Sequence, residues 1–213
     1  MKSKALYFLD AISGHFPEAQ IELCFNKKDP WQLLVAVVLS AQTTDKAVNK
    51  VTPALFKAFP TIQAFAEAEM HDVEPYIHTL GFFRNKSKNL VLAARKIIKD
   101  FKNQIPQKRD WLESIPGVGP KSAAVIIANA FGTPAIAVDT HVGRVARRLG
   151  LTKHTDPSKV EADLTKLFPK NRLLEAHHAL IFHGRRICHA RKPQCSRCPV
   201  CTKCPKNGVT AAV

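Results

Sequence analysis

The sequence has no long hydrophobic run and no segment typical of a secretory leader. Its longest purely apolar stretch, residues 33–39, is far too short to span a bilayer. Near the N-terminus Asp10 interrupts the apolar residues, and no cleavage-like site follows. These absences predict a soluble, cytoplasmic protein in a reducing compartment, where cysteines are more often metal ligands than disulfides.

Strict alternation of apolar and polar residues, the pattern of a half-buried strand, is also scarce. Apolar residues recur at helical spacing instead, which predicts an all-α fold. Asp29 is expected to cap the first predicted helix, with Gln32 completing a capping box. Pro53 marks a possible break, and Asp110 is expected to cap a short helix. Besides an N-terminal helix and shorter pieces between 61 and 78, the predicted helices cover residues 30–40, 45–59, 86–101, 110–115, 120–131, 140–149, 157–168 and 172–183.

Acidic residues are few: the chain has 17 acidic against 32 basic residues and a net charge of +15. Such an excess favours a polyanionic partner, most simply nucleic acid. An anionic membrane surface and a merely basic soluble protein remain as alternatives. The length of 213 residues suggests one or two domains with a substantial core.

Glycine is sparse as well, yet two glycines flank a single valine in "LESIPGVGPKSAAVIIANAF", residues 112–131. Gly117 and Gly119 can adopt backbone angles closed to other residues and let another backbone approach closely. The helix that opens at Pro120 presents unpaired N–H groups and the positive end of its dipole. The backbone N–H groups of Gly117, Val118 and Gly119 are therefore predicted to bind a phosphate. A tight turn between two helices, which needs glycine just as often, is the alternative.

Lys121 lies in the first turn of that helix, where the dipole disfavours a cation and so favours the neutral, nucleophilic amine. A solvated lysine beside phosphates is the alternative. The helix is about 18 Å long, and an extended return from Thr133 to Asp139 reaches about 23 Å. Asp139 can therefore come back beside Lys121, or simply cap the helix that follows it.

These stretches resemble the endonuclease III branch of the helix-hairpin-helix (HhH-GPD) DNA glycosylases, over nearly the whole chain. The resemblance rests on "LLVAVVLSAQTTD", "LESIPGVGPKSAA", "AIAVDTHVGRVARR", "HHALIFHGRRIC" and the cysteine tail. It implies that Lys121 is the nucleophile and that Asp139 assists it. It also implies an all-helical fold of two domains with DNA in the cleft between them. Residues 22–132 would form a six-helix barrel, and residues 1–21 plus 133–213 a domain carrying an iron–sulfur cluster. Two departures are Pro120, where a basic residue is common, and Gly143, where a bulkier one is expected.

The C-terminal tail has five cysteines for four ligand positions, and thiolate tetrads hold either Zn²⁺ or a [4Fe–4S] cluster. Spacing alone does not choose between them. The resemblance implies a [4Fe–4S] cluster and the pattern C-x6-C-x2-C-x5-C, which selects Cys188, Cys195, Cys198 and Cys204. It leaves Cys201 free. The sixth cysteine, Cys24, lies in the apolar stretch "IELCF" and is expected in the core. The cluster would order a basic loop against DNA through Arg191, Lys192 and Arg197.

An enzyme that acts on a base must take the nucleotide out of the stack, and something must fill the gap. The resemblance places Gln42 at the position that enters the duplex and Phe82 at the position of a wedge. For Phe82, burial in the core is the alternative. His141, beside Asp139, is a candidate phosphate contact.

The sequence thus predicts a bifunctional DNA glycosylase and AP lyase, acting as a monomer. Its expected substrate is duplex DNA that carries an oxidised pyrimidine or an abasic site. Lys121 would attack the sugar, form a Schiff base and cleave the strand by β-elimination. Two alternatives stay open: an adenine or mismatch glycosylase of the same superfamily, and a module that binds DNA without catalysis.

Overall fold

The computed structural model describes all 213 residues, Met1–Val213. It contains eleven α-helices, two short 3₁₀ turns and no β-strand, which confirms the predicted all-α class. No helix is both long and apolar enough to cross a membrane. The helices are α1 Lys2–His15, α2 Pro30–Leu39, α3 Asp45–Ala58, α4 Ile62–Glu67, α5 Met70–Ile77, α6 Phe83–Phe101, α7 Arg109–Glu113, α8 Pro120–Phe131, α9 Thr140–Arg148, α10 Pro157–Leu167 and α11 Leu173–Arg186.

The chain divides into two compact units. One unit is Glu22–Gly132 and holds α2–α8; the other combines Met1–Ile21 with Thr133–Val213 and holds α1 and α9–α11. The first unit has seven helices where the resemblance implied six. The stretch between 61 and 78 supplies two of them, α4 and α5. The backbone is extended at Ala68 and Glu69, which separates the two helices.

In the unit Glu22–Gly132, α2 forms the centre of the core. All its residues from Leu33 to Leu39 are buried, as expected for a helix that is apolar on every side. It contacts α3, α6 and α8. The long helix α6 is amphipathic, and the side it buries includes Leu90, Ala93, Ala94 and Ile97.

The other unit has a separate core where α9 and α11 pack together and α1 packs on α11. Gly184 of α11 lies against α9: a Cβ there would stand 3.0 Å from the Cβ of His141 and 3.2 Å from a methyl of Val145. The absence of a side chain therefore lets the two helices approach closely. This contact fixes where the N-terminal turn of α9, which carries Asp139 and His141, lies relative to α11.

Several local predictions need correction. Asp29 caps α2 by accepting the N–H of Trp31, but Gln32 accepts the N–H of Asn26 and not that of Asp29, so the capping box is absent. Asp110 lies inside α7, whose N-cap is Lys108. Pro53 does not break its helix, since α3 continues to Ala58.

Cys24 is exposed, so the prediction that it belongs to the core is wrong. The segment around it is irregular, and only the neighbouring Leu23 is buried. Asn49 of α3 holds this segment: its side chain accepts the N–H of Cys24 at 2.8 Å and donates to the carbonyl of Glu22 at 2.8 Å. An irregular backbone has no helical periodicity, and the apolar letters of "IELCF" therefore do not share a face.

Candidate active site

The glycines that flank Val118 form the turn between α7 and α8. The N–H of Val118 donates to the carbonyl of Ile115 at 3.0 Å, and its side chain is buried at 4% exposure. The prediction that Val118 offers its N–H to a phosphate is therefore wrong, since the turn itself uses that donor. Val118 anchors the turn in the core, while Gly117 and Gly119 are exposed on either side of it.

The two glycines are present for different reasons. Gly117 has φ +83°, and a Cβ there would lie 3.0 Å from the Cβ of Asn89 and 3.2 Å from a methyl of Val38. Gly119 has φ −90°, which any residue adopts, and a Cβ there would meet nothing within 4 Å. For Gly119 the expectation of a special backbone angle is wrong. Its missing side chain keeps the outer surface of the turn accessible to an external group.

We expect Gly117→Ala and Gly119→Ala to separate folding from binding. Gly117→Ala combines left-handed strain of about 1–2 kcal/mol with the contact to Asn89, so thermal unfolding should shift to lower temperature. Gly119→Ala should leave the melting temperature unchanged and weaken binding to duplex DNA. Thermal melting and a DNA titration on the same two proteins check this; equal melting temperatures would contradict the strain assigned to Gly117.

Lys121 is exposed and is the second residue of α8, directly after the turn. Pro120 occupies the first position, where its missing N–H removes no helical hydrogen bond. The N-cap Gly119 provides no side-chain acceptor, and the start of the helix therefore keeps backbone donors for an anion. Lys121 thus places a primary amine next to the donors that the sequence assigned to a phosphate.

Asp139 caps α9, as one of its two predicted roles required. Its Oδ1 accepts the N–H of Val142 at 2.8 Å, and the residue is half-buried. Asp139 lies in the unit Thr133–Val213, whereas Lys121 lies in Glu22–Gly132. The pairing of Lys121 with Asp139 therefore stays a prediction, but the cap already holds the carboxylate in a fixed orientation.

His141, two residues further along α9, is bound to a well-held arginine. The Nδ1 atom of His141 lies 3.2 Å from Nη2 of Arg144, and Arg144 also donates to the carbonyls of Gly184 and Cys188. Burial lowers the pKa of His141, and a backbone hydrogen bond at Gly184 opposes part of that shift. The contacts to Arg144 and Gly184 fix the orientation of the ring.

Gln42 and Phe82 share an unusual backbone. Both have left-handed angles, with φ 52° at Gln42 and φ 58° at Phe82, and both are exposed. Phe82 is 63% exposed as the N-cap of α6, so it is not part of the core. Left-handed angles are strained for a bulky residue and tend to occur at functional sites.

A buried lysine lies beside these two residues and was not singled out by the sequence. Lys86 of α6 is 4% exposed, and its Nζ donates to the hydroxyl of Thr43 at 2.6 Å. The only sequence signal was the polar stretch "RNKSKN", in which one lysine falls on the buried side of α6. Helical periodicity could have marked that position, but it could not identify Thr43 as the partner.

The five cysteines of the tail surround one cavity of about 360 Å³, a volume that includes the space at its mouth. Three of the four predicted ligands have hydrogen-bonded sulfurs. Arg148 donates to Sγ of Cys188 at 3.4 Å, His183 Nε2 lies 3.6 Å from Sγ of Cys198, and the N–H of Lys206 donates to Sγ of Cys204 at 3.4 Å. Such contacts orient the ligands of metal centres.

The chemistry of the thiols fits a positively charged group in this cavity. Burial raises the pKa of Cys198 to about 11, and burial with neighbouring thiols also raises the pKa of Cys195 and Cys204. Thiols packed this way ionise only when a cation compensates their charge. No three His, Cys, Asp or Glu side chains converge closely enough to hold a single metal ion. The sulfurs enclose a space instead.

The basic residues predicted to face DNA from the tail are on the surface. Arg191, Lys192 and Arg197 are all exposed in the segment between Cys188 and Cys198. The buried Arg148 holds the start of that segment, since it donates to the carbonyls of His189 and Ala190 at 2.6 and 2.9 Å. The sequence did not single out Arg148, because it is marked only by contacts made in the folded chain. His183 was expected to pack or to form hydrogen bonds within its helix rather than to bind a metal.

Gly143 departs from the resembling family, and the structure shows room there. A Cβ would meet the guanidinium of Arg147 at 3.4 Å and a methyl of Val138 at 3.7 Å, both ordinary contacts. Neither the packing nor the helical backbone of α9 demands glycine. Gly143 is buried in α9, and nothing in its surroundings explains the departure.

Known proteins of similar sequence are endonucleases III. The chain is 46% identical to endonuclease III of Synechocystis sp. over 86% of this chain and 84% of that protein. It is 39% identical to endonuclease III of Escherichia coli K12, over 86% of each chain. The sequence profile described as "HhH-GPD superfamily base excision DNA repair protein" matches residues 35–170.

Solved structures give the same result. An endonuclease III trapped as a covalent intermediate with DNA superposes with a TM-score of 0.91 and 42% identity, covering 97% of this chain and 96% of that one. A thermostable thymine-DNA glycosylase, 23% identical, superposes with a TM-score of 0.82 and shares the fold.

The all-helical fold, the turn between α7 and α8 and the matching profile together define a base excision DNA repair protein of the helix-hairpin-helix class. Within this class, identity of 39–46% over most of the sequence is decisive. The chain belongs to the endonuclease III family.

Proposed function

We propose that this member of the endonuclease III family is a bifunctional DNA glycosylase and AP lyase that removes oxidised pyrimidines from duplex DNA. The observation that carries the proposal is the exposed amine of Lys121, directly after the turn that begins α8. A relative of 42% identity has been trapped in a covalent complex with DNA, which a nucleophilic side chain makes possible. Membership of the family makes the class of enzyme a DNA glycosylase, and the finer mechanism is the proposal.

The turn between α7 and α8 would hold a phosphate of the damaged strand. Its donors are the N–H groups of Gly117 and Gly119 and of the first turn of α8, and neither glycine has a side chain that could block access to them. Backbone donors read a phosphate and not a base, so this contact positions the strand without specifying sequence. It would place the sugar of the lesion near Lys121.

The reaction would begin with attack of the Lys121 amine on C1′ of the damaged nucleotide. The new C–N bond replaces the bond to the base, and the base leaves with that electron pair and takes up a proton. The ring opens to a Schiff base between Nζ and C1′. Loss of a proton from C2′ then expels the 3′ phosphate by β-elimination, and water releases the enzyme by hydrolysis.

Asp139 would assist at the first step. A carboxylate near the reaction can take a proton from the lysine ammonium or stabilise the positive charge that develops on the sugar. The cap of α9 suits either role, because it fixes the carboxylate before substrate binds. His141 would contact a neighbouring phosphate.

The cysteine tail would hold a [4Fe–4S] cluster through Cys188, Cys195, Cys198 and Cys204. Support comes from the cavity that these residues line and from the hydrogen bonds to three of their sulfurs. Such a cluster, when bound, crosslinks the irregular tail through iron–sulfur bonds. This chain's own residues do the rest: Arg191, Lys192 and Arg197 present positive charge to the DNA backbone.

Phe82→Ala should slow base extraction without unfolding the protein. Unstacking a base requires a few kcal/mol, and the exposed ring of Phe82 would fill the gap and offset part of it. Excision of a paired, damaged base should slow, whereas cleavage of a preformed abasic site should change less. The melting temperature should stay near that of wild type, because surface changes usually stay within about 0.5 kcal/mol. A large fall in melting temperature with both activities equally reduced would contradict the wedge.

Binding should weaken steeply with salt. The net charge of +15 and the backbone donors of the turn predict that phosphate contacts dominate. The logarithm of affinity should then fall linearly with the logarithm of salt, with a slope near −0.9 per neutralised phosphate. Fluorescence anisotropy with duplexes of scrambled flanking sequence measures this. A flat salt response would contradict the role given to the positive charge.

Borohydride trapping on a panel of duplexes tests the proposal. The protein should form a covalent adduct with duplexes that carry an oxidised pyrimidine or an abasic site, and none with matched undamaged DNA. Adducts confined to purine lesions or mismatches would reassign the substrate. Tight binding of damaged DNA with no adduct and no base release would indicate a module that binds without catalysis.

A further inference from the structure

The left-handed turn at Gln42 is closed by a hydroxyl. The Oγ1 of Thr43 donates to the carbonyl of Ala41 at 3.3 Å, so the two neighbours of Gln42 are joined across it. The same Oγ1 accepts from Nζ of Lys86 at 2.6 Å. A hydroxyl has one proton to donate and can accept others, and both bonds therefore form at once.

Lys86 also holds Phe82 through its backbone. Its N–H donates to the carbonyl of Phe82 at 3.0 Å, which is the first hydrogen bond of α6. Phe82 is the N-cap of that helix and has no side-chain capping bond of its own. One residue thus holds the Phe82 backbone with its N–H and the Gln42 turn with its ammonium.

The burial of Lys86 needs a reason other than packing. A lysine is rarely fully buried without a partner, because desolvating an ammonium is unfavourable. Here burial lowers the pKa of Lys86, and the neutral hydroxyl of Thr43 compensates only in part. A leucine or methionine would fill the same space without the free-energy cost of desolvating an ammonium. The role of the ammonium is therefore its hydrogen bond to Thr43.

The backbone at Gln42 and at Phe82 is strained. A left-handed angle disfavours an ordinary residue by about 1–2 kcal/mol, and such angles persist only where the surroundings enforce them. Gln42 and Phe82 are exposed, so burial of their own side chains does not enforce the angles. The hydrogen bonds of Thr43 and Lys86 link their two backbone segments.

We propose that Lys86 and Thr43 are positioning residues that lock Gln42 and Phe82 together, so that both side chains enter the duplex as one rigid pair. Neither residue touches the reacting atoms. The inference rests on the proposed function and deepens it, because it names the device that prepares base extraction. Without the link, each turn would relax separately, and the enzyme would have to order both during extraction.

The test uses Lys86→Met, Thr43→Val and the double variant, with Lys88→Met as control. The control removes an equal charge from an exposed position of the same helix. Single-turnover excision of a paired, oxidised pyrimidine should slow about tenfold in Lys86→Met and in Thr43→Val. The double variant should be no slower than either one, because both changes break the same contact. Cleavage of a preformed abasic site should stay within about twofold of wild type, since no base is extracted.

Thr43→Ser keeps the hydroxyl and should restore excision to within about twofold of wild type. The proposal is overturned by wild-type excision in Thr43→Val, by multiplied effects in the double variant, or by equal slowing in Lys88→Met. Equal loss of excision and abasic-site cleavage, with a lower melting temperature, would show a purely structural role. Absence of borohydride trapping in the wild type would instead contradict the proposed function. Failure of the positioning proposal and failure of the proposed function are therefore distinguishable.

Discussion

Lys121→Gln should abolish the borohydride-trapped adduct and slow base release by about a thousandfold or more, the scale seen when an enzyme loses its nucleophile. Glutamine keeps the length and polarity of the side chain but has no amine to attack C1′. Because Lys121 is exposed at the start of α8, its replacement should not disturb the fold. Binding of duplex DNA should fall by less than about tenfold, since one charge among many phosphate contacts is lost.

Lys88→Gln is the matched control for that experiment. It removes the same charge from an exposed lysine of the same unit and should trap and cleave like the wild type. Undiminished trapping in Lys121→Gln would exclude Lys121 as the nucleophile. Equal losses in both variants would reduce the effect to weakened DNA binding.

Cys198→Ser should lose the iron–sulfur cluster. The wild-type protein should be brown with about four irons per chain, and the variant should be colourless with little iron. Serine keeps the volume, but its hydroxyl does not ionise to a ligand as a thiol does. The sulfur of Cys198 also contacts Nε2 of His183, and the variant removes that contact. Iron analysis and the visible spectrum measure the loss, and the melting temperature should fall with it.

Cys201→Ser is the discriminating partner of that variant. Cys201 lines the same cavity, but the pattern C-x6-C-x2-C-x5-C that the family resemblance implies does not include it. It should therefore keep its iron and its colour. If Cys201→Ser bleached the protein while Cys188→Ser did not, the ligand set would have to be redrawn.

Local signals in the sequence were enough to predict the helices that carry the candidate site. Pro120 and Gly132 mark the ends of α8, and the structure begins and ends that helix beside them. Asp139 was expected to cap α9 and does so. Such signals act over a few residues, through caps and turns whose physics is local, and they survive folding unchanged.

Predictions that depended on the folded chain were less secure. The N–H of Val118, which was predicted to bind a phosphate, instead donates to the carbonyl of Ile115. The spacing of the glycines does not reveal that bond. Cys24 is exposed because its segment is irregular, and the apolar residues of that segment therefore do not lie on one side of a helix or strand. Lys86 is buried against a residue 43 positions away, and no periodicity identifies that partner.

Mapping the trapped adduct by peptide mass spectrometry tests the central claim most directly. The unmodified protein is cut by trypsin after Arg109, Lys121 and Arg144, giving the peptides 110–121 and 122–144. A sugar fragment bound to Nζ of Lys121 blocks the middle cut. We expect a single modified peptide, 110–144, that carries the reduced sugar on Lys121. A modified peptide from any other lysine or from the N-terminal amine, with 110–121 and 122–144 intact, would contradict it.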